Sequence, residues 1–190
     1  RMTLYKWLME DGSAAHGGTG QWYLPHDGQP GEWMPEITGI TLCKRGYHLV
    51  DAGHMVEWIA PRLFEAEGRG EYIDGADAQV GKSVWHEARL VREVTNWNDR
   101  TARLFACDCA ERMLPFFEWC LPNDSRPRDA IAVARRFAYR QATREELIAA
   151  GAAARAAAWD AAGDAAGDAA RAAAWDATWA AQNRRLGAMV

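Results

Sequence analysis

The sequence predicts an α+β protein. A small N-terminal domain built on a mixed or antiparallel sheet, residues 1–97, precedes an all-α helical module, residues 98–190. Three observations carry this. Residues 1–97 are rich in Gly and Trp and are broken by turn signals at Asp11-Gly12, Pro25 and Pro30-Gly31, the punctuation of short strands. Twenty of the 33 residues from 149 to 181 are Ala, the best helix former. The basic residues also change near residue 97. The first part has nine Lys and Arg against fourteen Asp and Glu, whereas the second has thirteen Arg, no Lys and twelve acids.

The elements follow in order. Leu4–Met9 is a strand candidate closed by Asp11-Gly12. Gln21–Leu24 is a short strand stopped by Pro25. Gly39–Val50 is a strand broken at Gly46. Met55, Ile59 and Leu63 recur at helical spacing, so Met55–Phe64 is a short helix despite Pro61. Phe64–Ile73, Val80–Trp85 and Ala88–Thr95 are three further strands. Asn98 or Asp99 caps a helix reaching about Cys120 with Pro115 inside it. Leu104, Cys107, Leu114 and Phe117 share one face, and Cys109, Met113, Phe116 and Cys120 an adjacent one, so this helix is expected to be central. Asp124 or Ser125 opens the next helix, with Pro127 in its first turn. Thr143 and Glu146 form a capping box for the Ala-rich stretch, whose plausible breaks are Gly151, Gly163 and Gly167.

Composition excludes several function classes. Hydrophobic residues are 49% and charged residues 25%, as in a globular chain. A net charge of -4 gives no bulk attraction to nucleic acid or anionic lipid. No run of 18 apolar residues is present and the first twenty residues lack an apolar stretch, so a cytoplasmic protein without a membrane role is expected. Cys43, Cys107, Cys109 and Cys120 are too few for a disulfide scaffold. Their spacing offers no C-x-x-C pair, so reduced, mostly buried thiols and no metal are expected.

Four patterns are candidate sites. Asp160, Asp164 and Asp168 stack on one helix face, and Asp176 extends the stripe. It suits a basic partner or is simply a solvated face. The stripe is interleaved with a repeat, Arg155-Ala-Ala-Ala-Trp159-Asp160-Ala and Arg171-Ala-Ala-Ala-Trp175-Asp176-Ala. With Trp179, these tryptophans supply the residue type that dominates interfaces. Arg136, Arg140 and Arg144 form a second stripe, with Arg126, Arg128 and Arg135 nearby. It would either contact phosphate or pair with acids of neighbouring helices. His16-Gly17-Gly18-Thr19-Gly20 reads as a turn, since the phosphate-loop patterns are absent. Finally, Cys43-Lys44-Arg45-Gly46-Tyr47-His48 places a bend before His48, a side chain that titrates near neutrality. Glu65, Glu67 and Glu71 share one parity on a following strand, so a His–Glu constellation is conceivable.

Two parts of the chain carry resemblances. Ala106-Cys-Asp-Cys-Ala-Glu-Arg-Met-Leu-Pro115, then Asn123-Asp-Ser-Arg-Pro-Arg-Asp-Ala-Ile131 and the Ala/Trp/Asp helices, resemble an alanine-rich immunity-protein family of bacterial polymorphic-toxin neighbourhoods, over about residues 100–185. The resemblance implies an all-α, inhibitory, protein-binding module. Cys43-x-x-Gly46-Tyr47-His48, Phe64-Glu65-x-Glu67-x-x-Gly70-Glu71 and Lys82…Arg92-Glu93 resemble a small domain of phage and bacterial proteins. More distantly, Leu4-Tyr5-Lys6 and Gly46-Tyr47-His48-Leu49 are similar to strands of ADP-ribosyltransferase-like folds. That similarity implies an NAD site with Tyr5, His48 and Glu71 in the matching positions.

The leading expectation is therefore a non-enzymatic protein-binding module without a cofactor. It would be an immunity or anti-defence inhibitor of bacterial or phage origin. Its partner would be a toxin or a defence component, met through Asp160, Asp164, Asp168, Asp176, Trp159, Trp175, Trp179, Arg136, Arg140 and Arg144. The alternatives are an NAD-using transferase and a nucleic-acid accessory protein that works through the arginines.

Overall fold

The computed structural model describes residues 3–75, 81–163 and 181–190. The chain divides into two compact units. One comprises residues 1–98 together with 183–190, and the other residues 99–182. An N-terminal antiparallel sheet and C-terminal helices make the protein α+β.

The first unit is a closed four-stranded antiparallel barrel. Its strands are β1 (Leu4–Leu8), β2 (Tyr47–Asp51), β3 (Arg62–Asp74) and β4 (Ser83–Glu93), in the order β1-β2-β4-β3. Closure satisfies the strand edges that an open sheet would expose. Leu8, Leu49, Phe64, Ala88 and Leu90 fill the interior with almost no exposure, and Leu4 and Ala66 join them. Trp22 and Met34 enter this core from the long β1–β2 connection. That connection also covers β4 where β2 does not reach, because Gly31, Met34 and Ile37 donate N–H bonds to the carbonyls of Leu90, Ala88 and His86, each at 2.9 Å.

The barrel corrects several expectations. The strands expected over Val80–Trp85 and Ala88–Thr95 give way to one strand, β4 (Ser83–Glu93), which carries a bulge where Glu65 and Ala66 face Arg92 and Leu90, while Val80 lies outside the described residues. Gln21–Leu24 forms only an isolated bridge, Ser13 with Gln21, because Pro25 leaves too little chain to ladder. The strand expected over Gly39–Val50 begins only at Tyr47. Residues 41–45 form a tight turn with Cys43 at φ 62° and Gly46 at φ 119°. A side chain on Gly46 would collide with Val84. The helix expected over Met55–Phe64 is a single 3-10 turn, Met55–Trp58. Pro61 intervenes, and β3 starts at Arg62. The C-terminal residues contribute to this unit: Asn183 accepts the Val56 N–H at 2.8 Å, and Leu186 is fully buried.

Cross-strand pairs on the β3–β4 surface are ionic. Arg92 faces Glu65, Arg89 faces Glu67 and Arg69 faces Glu87, and each pair makes a salt bridge. Arg62 grips both oxygens of Glu93 at 2.7 and 2.8 Å. Trp85 lies over Gly68, where any side chain would strike its ring, and stacks on Tyr72 at 4.3 Å. An aromatic covering a strand glycine restores the contact that the missing side chain forfeits.

The second unit contains α1 (Asp99–Cys120), α2 (Arg126–Ala138) and α3 (Arg144–Gly163). Each starts near the expected cap. Thr143 and Glu146 form the reciprocal capping box, with the Thr143 N–H donating to the Glu146 carboxylate at 2.7 Å and the Glu146 N–H to the Thr143 hydroxyl at 3.2 Å. Ser125 is the cap residue of α2, but its hydroxyl donates to Asp129 and makes no capping bond. Gly151 does not break α3; eight of the twelve residues that follow it in the helix are Ala and carry the helix through it. The central role expected of α1 is not observed: only Phe105, Cys107 and Leu114 are buried along its 22 residues. No described helix is long and apolar enough to cross a membrane.

Candidate functional site

Two regions concentrate the residues singled out by sequence. The first is a cavity of about 390 Å³ in the barrel unit. β1 supplies Tyr5 and Lys6, β2 supplies Tyr47 and His48, and the turn before β2 supplies Lys44 and Arg45. The glycine loop 16–20 forms another wall with Trp22, Trp58 and Lys82. His16 anchors that loop, because its Nε2 lies 2.8 Å from the Trp58 carbonyl and its ring meets the Trp58 ring edge-on at 5.7 Å.

Lys6 shares the parity of the core residues Leu4 and Leu8, so its stem is buried. Its ammonium donates to the His48 carbonyl at 3.1 Å and lies 4.9 Å from the Trp22 ring. Burial, and then the neighbouring Lys82 charge, push Lys6 down to about 8. His48 Nε2 accepts the Cys43 N–H at 2.9 Å. A ring that accepts at Nε2 keeps its proton on Nδ1 when neutral. Burial, Lys82 and Lys6 together lower His48 to about 4. His48 is therefore a neutral hydrogen-bond acceptor at pH 7 that orders the turn 43–48.

The cavity brings Tyr5 and His48 together and leaves Glu71 outside. β3 supplies no residue to the cavity wall. It also carries a bulge: Arg69 faces Glu87, but Tyr72 faces Trp85, so β3 spends three residues where β4 spends two. The extra residue breaks the parity shared by Glu65, Glu67 and Glu71. Glu65 and Glu67 remain in the ionic ladder, and Glu71 is exposed beyond it. No carboxylate stands among the described residues lining the cavity.

The second region is the helical unit. Its arginines are largely matched to acids. Arg126 pairs with Asp124, Arg128 with Glu118, Arg135 with both Asp108 and Glu111, and Arg136 with Glu146. Arg140 sits at φ 58° just after α2, and Arg144 opens α3; both are exposed. Trp159 and Asp160 belong to the last turns of α3. Asp164, Asp168, Asp176, Trp175 and Trp179 lie outside the described residues.

This unit also presents apolar surface. A cleft of about 460 Å³ between α1, α2 and α3 is lined by Met113, Leu114, Phe117, Ile131 and Leu147, with the small residues Ala110 and Ala154. Elsewhere on these helices Trp119 is 74% exposed and Ile148 60%, and Phe116 and Tyr139 are also exposed. Sequence reasoning missed Trp119. The available signal was its position three residues after Phe116, off both faces assigned to the interior of α1.

The comparisons with known proteins bear on the helical region. Residues 92–184 match a family model described as Imm-5 like putative immunity protein. Neither a curated protein nor a solved structure matches the chain. The match spans α1, α2 and α3, and it bears out the immunity-protein resemblance carried by the Ala106–Pro115 and Asn123–Ile131 segments. Over residues 92–184, just under half of the chain, the sequence is similar to the Imm-5 like putative immunity protein family.

Proposed function

We propose that this protein is an immunity-type inhibitor that acts by binding another protein through its helical unit. The partner class is a toxin, or a defence or effector component, of bacterial or phage origin. The family match over the three helices carries the reading. Two features of the helical unit support it. Exposed Trp119, Phe116, Tyr139 and Ile148 supply the large, rigid contacts that dominate interface energetics. The acids and arginines of the unit offset one another locally, which suits recognition of a patterned protein surface better than of a uniform phosphate backbone. Asp160, Asp164, Asp168 and Asp176, with Trp159, Trp175 and Trp179, would extend that surface towards a basic partner.

The test is affinity capture from host lysate, with and without nuclease, using the full chain and its Trp119→Ala variant in parallel. A stoichiometric protein that survives nuclease and is held at least about 30-fold less well by the variant supports the reading. Retention of nucleic acid alone, with affinity falling steeply with salt, overturns it in favour of a nucleic-acid role for the arginines.

A further inference from the structure

The basic residues of the barrel unit fall into two sets. Arg62, Arg69, Arg89 and Arg92, on the strands, each bind a glutamate. Lys6, Lys44, Arg45 and Lys82 all line the 390 Å³ cavity, and none has a carboxylate partner among the described residues. Lys44 and Arg45 are exposed, but Lys6 and Lys82 are half-buried, and for these two the lack of a counter-charge, in a protein of net charge -4, is costly. Like charges held around a partly enclosed space repel, and a desolvated ammonium such as Lys6 is stabilised poorly by one carbonyl. Lys82 is further committed, with its ammonium 3.7 Å from the Trp58 ring centroid. The same wall holds a second unmet group, since Trp58 Nε1 is buried without an acceptor among the described residues.

We propose that the barrel cavity binds a small phosphorylated molecule. A phosphate monoester carries about -1.5 to -2 charge at neutral pH and three strong acceptor oxygens, enough to accept from two ammonium groups at once. A monocarboxylate brings half that charge. About 390 Å³ lies in the range of small-molecule sites and exceeds the needs of a lone inorganic ion. Tyr5, Trp22 and Tyr47 add flat apolar walls beside the cations. The ligand therefore has a phosphate group attached to a compact body of roughly nucleoside-monophosphate size. This site is independent of the protein-binding role of the helices.

Calorimetry of the full chain with pyrophosphate and with adenosine monophosphate tests the proposal. It should be run with the parent and with Lys6→Met, Lys82→Gln and, as a control, Arg92→Gln. Saturable binding is expected, weakened about ten-fold or more by each lysine change and unaffected by the control. In parallel, the His48 ring followed by NMR should take up its proton at higher pH when the anion is present, since the anion offsets the Lys6 and Lys82 charges. Lys6→Met removes a desolvated charge and keeps the stem; should it fail to fold, Lys82→Gln decides. No saturable binding of either probe up to about 10 mM, or equal affinity in the folded lysine variants, overturns the proposal.

Discussion

The barrel and the helical unit solve the folding problem in opposite ways. The barrel is organised around side chains removed from water: Leu8, Leu49, Phe64, Val84, Ala88 and Leu90 have no exposure at all. In the helical unit the buried set among the described residues is Phe105, Cys107, Leu114, Ala138 and Ala157, mostly small or single-layer contacts. Local chemistry holds its helices instead: alanine propensity, a capping box and arginine–carboxylate pairs. Apolar groups such as Trp119 and Ile148 are left outside. A module whose large side chains are not spent on its own core has them available for another molecule.

The sharpest way to break this comparison is to empty each core. Phe64→Ala should cost about 3–5 kcal/mol, from lost burial plus a cavity in a closed barrel that cannot collapse. Leu114→Ala, beside an open cleft, should cost nearer 2 kcal/mol. Urea denaturation followed by circular dichroism measures both, and equal losses would erase the distinction.

A second prediction concerns charge in the barrel. Lys6 is lowered to about 8 by burial and Lys82, against an unfolded value near 10.4. The unfolded chain therefore holds more protons between those values, and stability should rise as pH climbs from about 8 to 10. Lys6→Met should abolish that rise and stabilise the protein at pH 7 by about 1–2 kcal/mol. His48, lowered to about 4, acts in the acid range. Stability should fall as pH drops from about 6.5 to 4, because only the unfolded chain then takes up the proton. His48→Gln, which keeps an acceptor for the Cys43 amide, should flatten that slope in urea midpoints taken across the range.

The helical unit should respond most to its caps. Thr143→Ala removes one half of the capping box and should cost about 1 kcal/mol, read as a lowered melting midpoint. Arg128→Gln, which removes an exposed pair with Glu118, should change stability by less than about 0.5 kcal/mol. A larger loss would mean that ion pairs, rather than propensity and caps, hold these helices.

Much of this molecule was legible in its sequence because the signals are local. The Asp99 start, Pro127 in the first turn of α2, the Thr143–Glu146 box and the alanine run each act within one or two helical turns. β1 was legible for the same reason, as a short apolar segment closed by a Gly turn at Gly12 with φ 82°. The similarity of the helical region to an immunity-protein family could also be read, since it rests on contiguous segments.

Long-range pairing decided the rest. Nothing local tells Ser83–Trp85 and Ala88–Glu93 that they are one strand; that follows from β3 running alongside both. Glu71 missed the cavity because β3 does not line it, and a bulge between Arg69 and Tyr72 took it off the ladder of Glu65 and Glu67. The inward aim of Lys6, the neutrality of His48 and the gathering around one cavity of four cations without a carboxylate partner among the described residues come from strands distant in sequence closing into a barrel. Sequence by itself determined which segments could be helix or strand, because propensity and capping are properties of neighbours. Tertiary structure alone decided which charges would be paired and which left facing a cavity, because the energy of a charge depends on everything that closes around it.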